Sequence, residues 1–201
     1  ANSVAIPLLL SDTPVVAYWP SSCPAAPAYD PIGRHAQRRI TDLRADPDIA
    51  AGLRARADGY VPGDTDLAWT RATPWRSALA QLLDSYASPV TAVAISAAAG
   101  NASAVLLSAW LSRSLGVPAP IATSPGPGIT EVRLTVAEGD LVVSRPDGVH
   151  GVVSRPGAPD SPVALRRRDL SDLLTEELRR MDPDEVYGEV LATAAESQGA
   201  S

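Results

Sequence analysis

The sequence predicts an α/β (α+β) fold, a mixed sheet with an N-terminal α/β part and a C-terminal antiparallel meander packed with helices. Three observations carry this. Short apolar runs rich in Val, Ile and Ala are interleaved with helical spacings as far as residue 116. From residue 129 the apolar pattern changes to strict alternation, and after Asp169 helical spacing returns. With 201 residues, 45% of them apolar, the chain has the material for a real core.

In chain order, "TPVVAYWP" (13–20) is a β-branched and aromatic run closed by Pro, as a buried strand reads, and the Pro-rich "SSCPAAPAYDP" (21–31) is a connection. "GRHAQRRITDLR" reads as helix continuing into a short strand around Arg39 to Leu43. Asp46 or Asp48 then caps a helix over "IAAGLRARADGY". Thr73 followed by Pro74 has the form of an N-cap and first helical position, and Trp75, Leu79, Leu82, Leu83 and Tyr86 fall on one stripe after it. "PVTAVAISA" (89–97) reads as strand. "NASAVLLSAWLSRSLG" reads as a helix capped by Asn101 or Ser103 and stopped by Gly116 and Pro118.

"ITEVRLTVAEGDLVVSR" alternates about a hairpin turn at "EGD" (138–140), and "GVHGVVSR" and "SPVALRRR" supply two more strands joined by "PGAPD". Asp169 caps "LSDLLTEELRRM", and Asp182, Pro183 and Glu185 open a last helix. Either one domain spans 1–201, or two lobes divide it as 1–87 (α/β) and 88–201 (meander plus helices).

Charge and composition exclude several function classes. A net charge of -6 argues against nucleic acid and anionic membrane surfaces as partners. All 17 basic residues are Arg, so neither a lysine Schiff base nor a Walker-type phosphate loop is available. One Cys, Cys23, and two distant His, His35 and His150, make neither an internal disulfide nor a typical zinc site. The apolar run at 5–10 is too short for a membrane span or signal peptide, and a cytoplasmic protein is expected. No cofactor, metal or catalytic set is expected. No GxSxG nucleophile elbow occurs, and neither His has a nucleophile at motif spacing.

The remaining candidates each have a plain alternative. Asp64 and Asp66 in "GDTD" have DxD metal spacing, yet the sequence marks no further oxygen ligands and a polar loop capping the next element is the preferred reading. Gly100 to Ser103 at a helix start suits phosphate or ordinary capping. "GPG" (126–128) is a turn. The Arg runs at 38–39 and 166–168 suit an anion or a solvated strand end.

In "GDTDLAWTRATPWR" (63–76), two Trp and two Arg interleave, the residue types enriched at interface hot spots. The alternative makes Trp69 and Trp75 core anchors and pairs Arg71 and Arg76 with Asp64 and Asp66. With Trp75 assigned to the core by the helix start at Thr73, the loop Asp64 to Arg71 is the candidate surface. The partner-binding set is Asp64, Asp66, Trp69, Thr70, Arg71 and Arg76.

"PGDTDLAWTRATPWR" (62–76) is also similar to the signature of the glucose-6-phosphate dehydrogenase assembly protein OpcA family. "PLLLSDTPVVAYWP" (7–20), "GRHAQRRITD" (33–42), "SAVLLSAWLSRSLG" (103–116), "GPGITEVRL" (126–134) and "RRRDLSDLLTEELRRMDPDEVYGEVL" (166–191) agree in order. The chain resembles the C-terminal two thirds of such a protein, and the absence of an initiator Met fits a processed or truncated chain. The resemblance implies a non-catalytic accessory protein that promotes assembly or allosteric activation of glucose-6-phosphate dehydrogenase in the oxidative pentose phosphate pathway. The dehydrogenase is then the partner, and the chain's own oligomeric state is left open. Cysteine-based redox control, associated with some members, has a single Cys to work with here. The rival expectation is a sensor or enzyme that binds a sugar phosphate or NADP(H).

Overall fold

The computed structural model describes residues 13–199, so the apolar run at 5–10 and the last two residues lie outside it. It has five α-helices, a parallel three-stranded sheet and a mixed six-stranded sheet, in keeping with the α/β expectation. The chain divides into two compact units at Leu67 and Leu170 rather than at residue 87. One unit is the chain through Leu67 together with Ser171 onward, and the other is Ala68–Leu170.

In the first unit β1 (Val16–Tyr18), β2 (Arg38–Thr41) and β3 (Asp64–Asp66) pair in parallel, in the order β1-β2-β3. β3 replaces an expected loop. Its sequence, Asp-Thr-Asp, carries no apolar signal, and every residue of it is buried through pairing with β2 and through ion pairs described below. α1 (Ile49–Asp58) starts where Asp48 Oδ1 accepts the Ala51 amide at 2.9 Å. α4 (Leu170–Arg179) and α5 (Glu185–Ser197) end the chain, with α5 packed on α1. The cap of α5 is Asp184, which accepts the Tyr187 amide at 3.0 Å, rather than Asp182. Ile40, Leu67 and Leu173 form a small apolar cluster flanked by Val16, Tyr18 and Leu174.

The second unit is built on the sheet order β5-β4-β6-β7-β8-β9. β4 is Ala92–Ala97, and the short exposed β5 (Ile121–Thr123), which has no sequence signal, pairs with it in parallel. β6 (Ile129–Val136) and β7 (Gly139–Ser144) form the expected hairpin, with Val132, Leu134 and Val136 inward and Glu131, Arg133 and Thr135 outward. β8 is Gly151–Arg155. β9 is Ala158–Val163, so it takes in most of the expected "PGAPD" connection and ends before the Arg run. α3 (Ala102–Leu115) is capped by Asn101, whose Oδ1 accepts the Ala104 amide at 2.9 Å, and stops at Gly116 in the left-handed conformation. Leu107 and Leu111 of α3 join Trp75, Leu79 and Leu82 and the inward strand residues in one core.

The helix start expected at Thr73 and Pro74 lies instead at Leu67, since α2 spans Leu67–Leu83 with Pro74 inside it. A proline there removes the amide that would bond the carbonyl four residues back, that of Thr70. The guanidinium of Arg168 supplies the missing donor, with Nη2 donating to the Thr70 carbonyl. One member of the Arg run at 166–168 is therefore bound to a buried helix rather than solvated. Arg168→Ala is expected to cost about 1–3 kcal/mol by leaving that carbonyl short of a donor. Pro74→Ala restores the amide, so urea unfolding of the double-mutant cycle should show a smaller cost for Arg168→Ala in the Pro74→Ala background. Additive costs would sink this account.

Candidate functional site

The six residues selected from the sequence divide between the units. Asp64 and Asp66 belong to the first, in β3, and Trp69, Thr70, Arg71 and Arg76 to the second, in α2. Asp64, Asp66, Trp69 and Thr70 are buried, and Arg71 and Arg76 are half-buried. The expected loop surface is thus a strand followed by a helix whose side chains mostly point inward.

The acidic pair holds a charge network together. Asp66 is fully buried, and its carboxylate accepts the Thr41 hydroxyl at 2.5 Å and the Leu43 amide at 3.0 and 3.1 Å. Arg56 Nε lies 3.4 Å from Asp66 and donates to Thr41 Oγ1 at 3.1 Å, and Arg56 Nη1 bonds Asp46 at 2.7 Å. Burial pulls the Arg56 guanidinium pKa down, but Asp66 and Asp46 outweigh it and leave it raised.

Asp64 pairs with Arg39 Nε and accepts the Val61 amide at 2.9 Å, and Arg39 also donates to the Ala36 and Pro62 carbonyls. Arg38 pairs with Glu177 and donates to the Asp182 carbonyl at 3.0 Å. Arg38 and Arg39, candidate anion holders in the sequence, therefore already have carboxylates. Glu177 lies 139 positions from Arg38, and neither it nor Arg56 carries a local signal. The cleft bordered by Thr41, Arg56, Asp64, Thr65 and Tyr187 has room for about one water, too little for a metabolite.

On α2, Trp69 and Arg76 are seven residues apart and share a face. The Arg76 guanidinium lies 3.5 Å from the centroid of the Trp69 ring, and its Nη2 donates to Thr73 Oγ1 at 3.0 Å. Trp75, a core anchor as expected, lies under Arg145 at 5.2 Å.

The other nucleophile and base candidates are not brought together. Burial pushes the Cys23 thiol up to about 11, and its Sγ donates to the Pro24 carbonyl at 3.2 Å. His150 Nδ1 sits 2.5 Å from Asp147, which hydrogen bonds from His150 and the Val149 amide hold well below the usual carboxylate range. His35 Nε2 accepts from Arg34 at 3.2 Å. Among the described residues no three His, Cys, Asp or Glu side chains are grouped to hold a metal, and no helix is long and apolar enough to cross a membrane.

Comparison with known families decides the relationship. The family model for the C-terminal domain of the glucose-6-phosphate dehydrogenase subunit matches residues 62–191, and the model for the N-terminal domain of the same protein matches residues 1–58. The chain belongs to the OpcA family of glucose-6-phosphate dehydrogenase assembly proteins. No curated protein matches it. Among solved structures it is similar to KijD10, a 3-ketoreductase from Actinomadura kijaniata crystallised with TDP-benzene and NADP. In the open conformation the TM-score is 0.54 at 12% identity, over 90% of this chain and 75% of that one. A point mutant of the same enzyme gives 0.55 at 12% identity, over 91% and 75%. At such identity the likeness to the reductase is one of fold alone. The chain's place in the family rests on the two domain models.

Asp66→Ala leaves Arg56 buried with one carboxylate fewer, and a loss of about 3–5 kcal/mol is expected in urea unfolding. A loss below about 1 kcal/mol would contradict the network described. A raised folded pKa at Cys23 means that the folded state holds the proton more tightly. Its contribution to stability is complete below the unfolded pKa and is lost as pH rises through about 11. Alkylation by iodoacetamide at pH 8 should accordingly be on the order of a hundredfold slower than for a free thiol and accelerate up to about pH 11. A rate that levels off near pH 9 would refute it.

Proposed function

We propose that the chain is a non-catalytic accessory protein of glucose-6-phosphate dehydrogenase that acts in the cytoplasm and favours the assembled or active form of the enzyme. The observation that carries this reading is the match of both domain models along the chain, over 1–58 and 62–191. The chemistry of the buried segment agrees with it. Asp64 and Asp66, whose spacing suits a metal, are engaged by Arg39 and Arg56 instead.

An activator shifts an equilibrium only by binding one form of its partner more tightly, and a tenfold shift takes roughly 1.4 kcal/mol. One well-placed Arg contact supplies that. Of the six residues in "GDTDLAWTRATPWR", Arg71 and Arg76 are the two with surface left to offer. Asp64, Asp66, Trp69 and Thr70 serve the reading as the framework behind them.

The test is to mix the purified chain with the cognate dehydrogenase and measure complex mass and steady-state rate together. A complex with a changed rate is expected, and the absence of any complex at micromolar concentrations would end the proposal. Arg71→Ala should weaken the complex by about 1–2 kcal/mol while moving unfolding stability by less than roughly 0.5 kcal/mol. A stability loss as large as the affinity loss would return Arg71 to the framework.

A further inference from the structure

We propose that the unit Ala68–Leu170 carries a binding site for a phosphate monoester where the loop at 126–128 passes the N-terminus of α3, with Arg145, Arg167 and Asn101 as donors. The site is independent of the dehydrogenase reading. Gly128 has φ +73, and a Cβ there would lie 3.7 Å from Arg145 Nη2, 3.7 Å from Asn101 Nδ2 and 4.0 Å from Arg167 Nε. Donor groups from three separate stretches thus face one side of a backbone position that has no side chain. The loop is fixed in place, since the Gly128 carbonyl accepts the Ala98 amide at 2.8 Å and Thr130 Oγ1 donates to the Ser96 carbonyl at 3.1 Å.

Arg145 distinguishes this cluster from the ion pairs of the other unit. It is only 6% exposed and donates to the carbonyls of Leu165 and Ile129, while its Nε has no acceptor among the described residues. No carboxylate among those residues pairs with it, unlike Arg38, Arg39 and Arg56. The acid closest in sequence, Asp147, is occupied by His150 Nδ1 and by the Val149 and His150 amides at 2.8 Å. Arg167 is held beside it. Its amide donates to the Gly148 carbonyl at 3.1 Å, and its stem runs along Gly148, where a Cβ would approach Arg167 Cδ to 3.1 Å.

Burial, and after it the neighbouring Arg167, push the Arg145 guanidinium down to about 10, against a smaller upward pull from Asp147. Asn101 Oδ1 is used by the cap, which leaves Nδ2 to donate, and the first amides of α3 have no intrahelical acceptor. The guanidinium fork of Arg167, the Asn101 amide and a helix N-terminus, backed by the charge of Arg145, suit a tetrahedral dianion with several acceptor oxygens. A carboxylate would engage one fork.

The full chain is titrated calorimetrically at constant ionic strength with inorganic phosphate, a hexose 6-phosphate, the parent hexose and chloride. Saturable one-to-one binding of the two phosphates is expected, with none for the hexose. Tighter binding of the hexose phosphate identifies a metabolite as the source, and equal binding identifies free phosphate. Arg167→Ala and Asn101→Asp should each weaken binding at least about tenfold, the loss of one charge-assisted hydrogen bond. Asn101→Asp keeps a capping oxygen, so α3 persists and circular dichroism should not change. Phosphate heats no different from those of chloride, or full affinity in both variants, would overturn the site.

Discussion

The carboxylate of Asp66 is the interaction on which the first unit depends. It has no exposure, yet it gathers the Thr41 hydroxyl, the Leu43 amide and the Arg56 guanidinium. Those three groups belong to β2, to the turn that follows it, and to α1. A single charge thereby ties together three successive pieces of chain. A buried ion pair adds little net stability compared with an apolar pair, but removing one partner is costly. The alternatives to this arrangement are therefore penalised more than the arrangement itself is stabilised, which suits a strand too polar to be held by hydrophobic burial.

The unit Ala68–Leu170 is organised on the opposite principle. Alternation in β6 and β7 and the stripes of α2 and α3 converge on one continuous apolar core. Three of its arginines act on carbonyls and rings. Arg168 completes a helix broken by Pro74, Arg145 lies over Trp75, and Arg76 lies over Trp69. A chain without lysine has only guanidinium for such roles, and the planar fork suits them better than an ammonium would.

Elements with a strong local signal are legible in the sequence. The caps at Asp48 and Asn101, the stop at Gly116 and the 129–144 hairpin sit where spacing puts them. What is not legible depends on distant partners. β3 lacks apolar residues, and its burial becomes understandable only when Arg39 and Arg56 are seen beside it. The start of α2 is misplaced by the sequence pattern because Thr73-Pro74 is a good helix opening in isolation, and nothing nearby announces that Arg168 repairs an interior proline. The candidate site suffers likewise, for residue type selects Asp64, Asp66, Trp69 and Thr70 correctly as unusual but cannot tell an interface from a polar core. Asn101, Gly128 and Arg145 pass as a cap, a turn and an ordinary strand residue, since their convergence is a matter of topology.

The pairing of Arg38 with Glu177 also sets an order of events during synthesis. The two residues are 139 positions apart, so on the order of ten seconds of translation separates the emergence of one from that of the other. Throughout that interval β2 carries a guanidinium whose carboxylate does not yet exist, and by its end, once Leu165 has been added, Ala68–Leu170 has all of its own core residues in hand. The middle of the chain is thus placed to fold first and the two ends last.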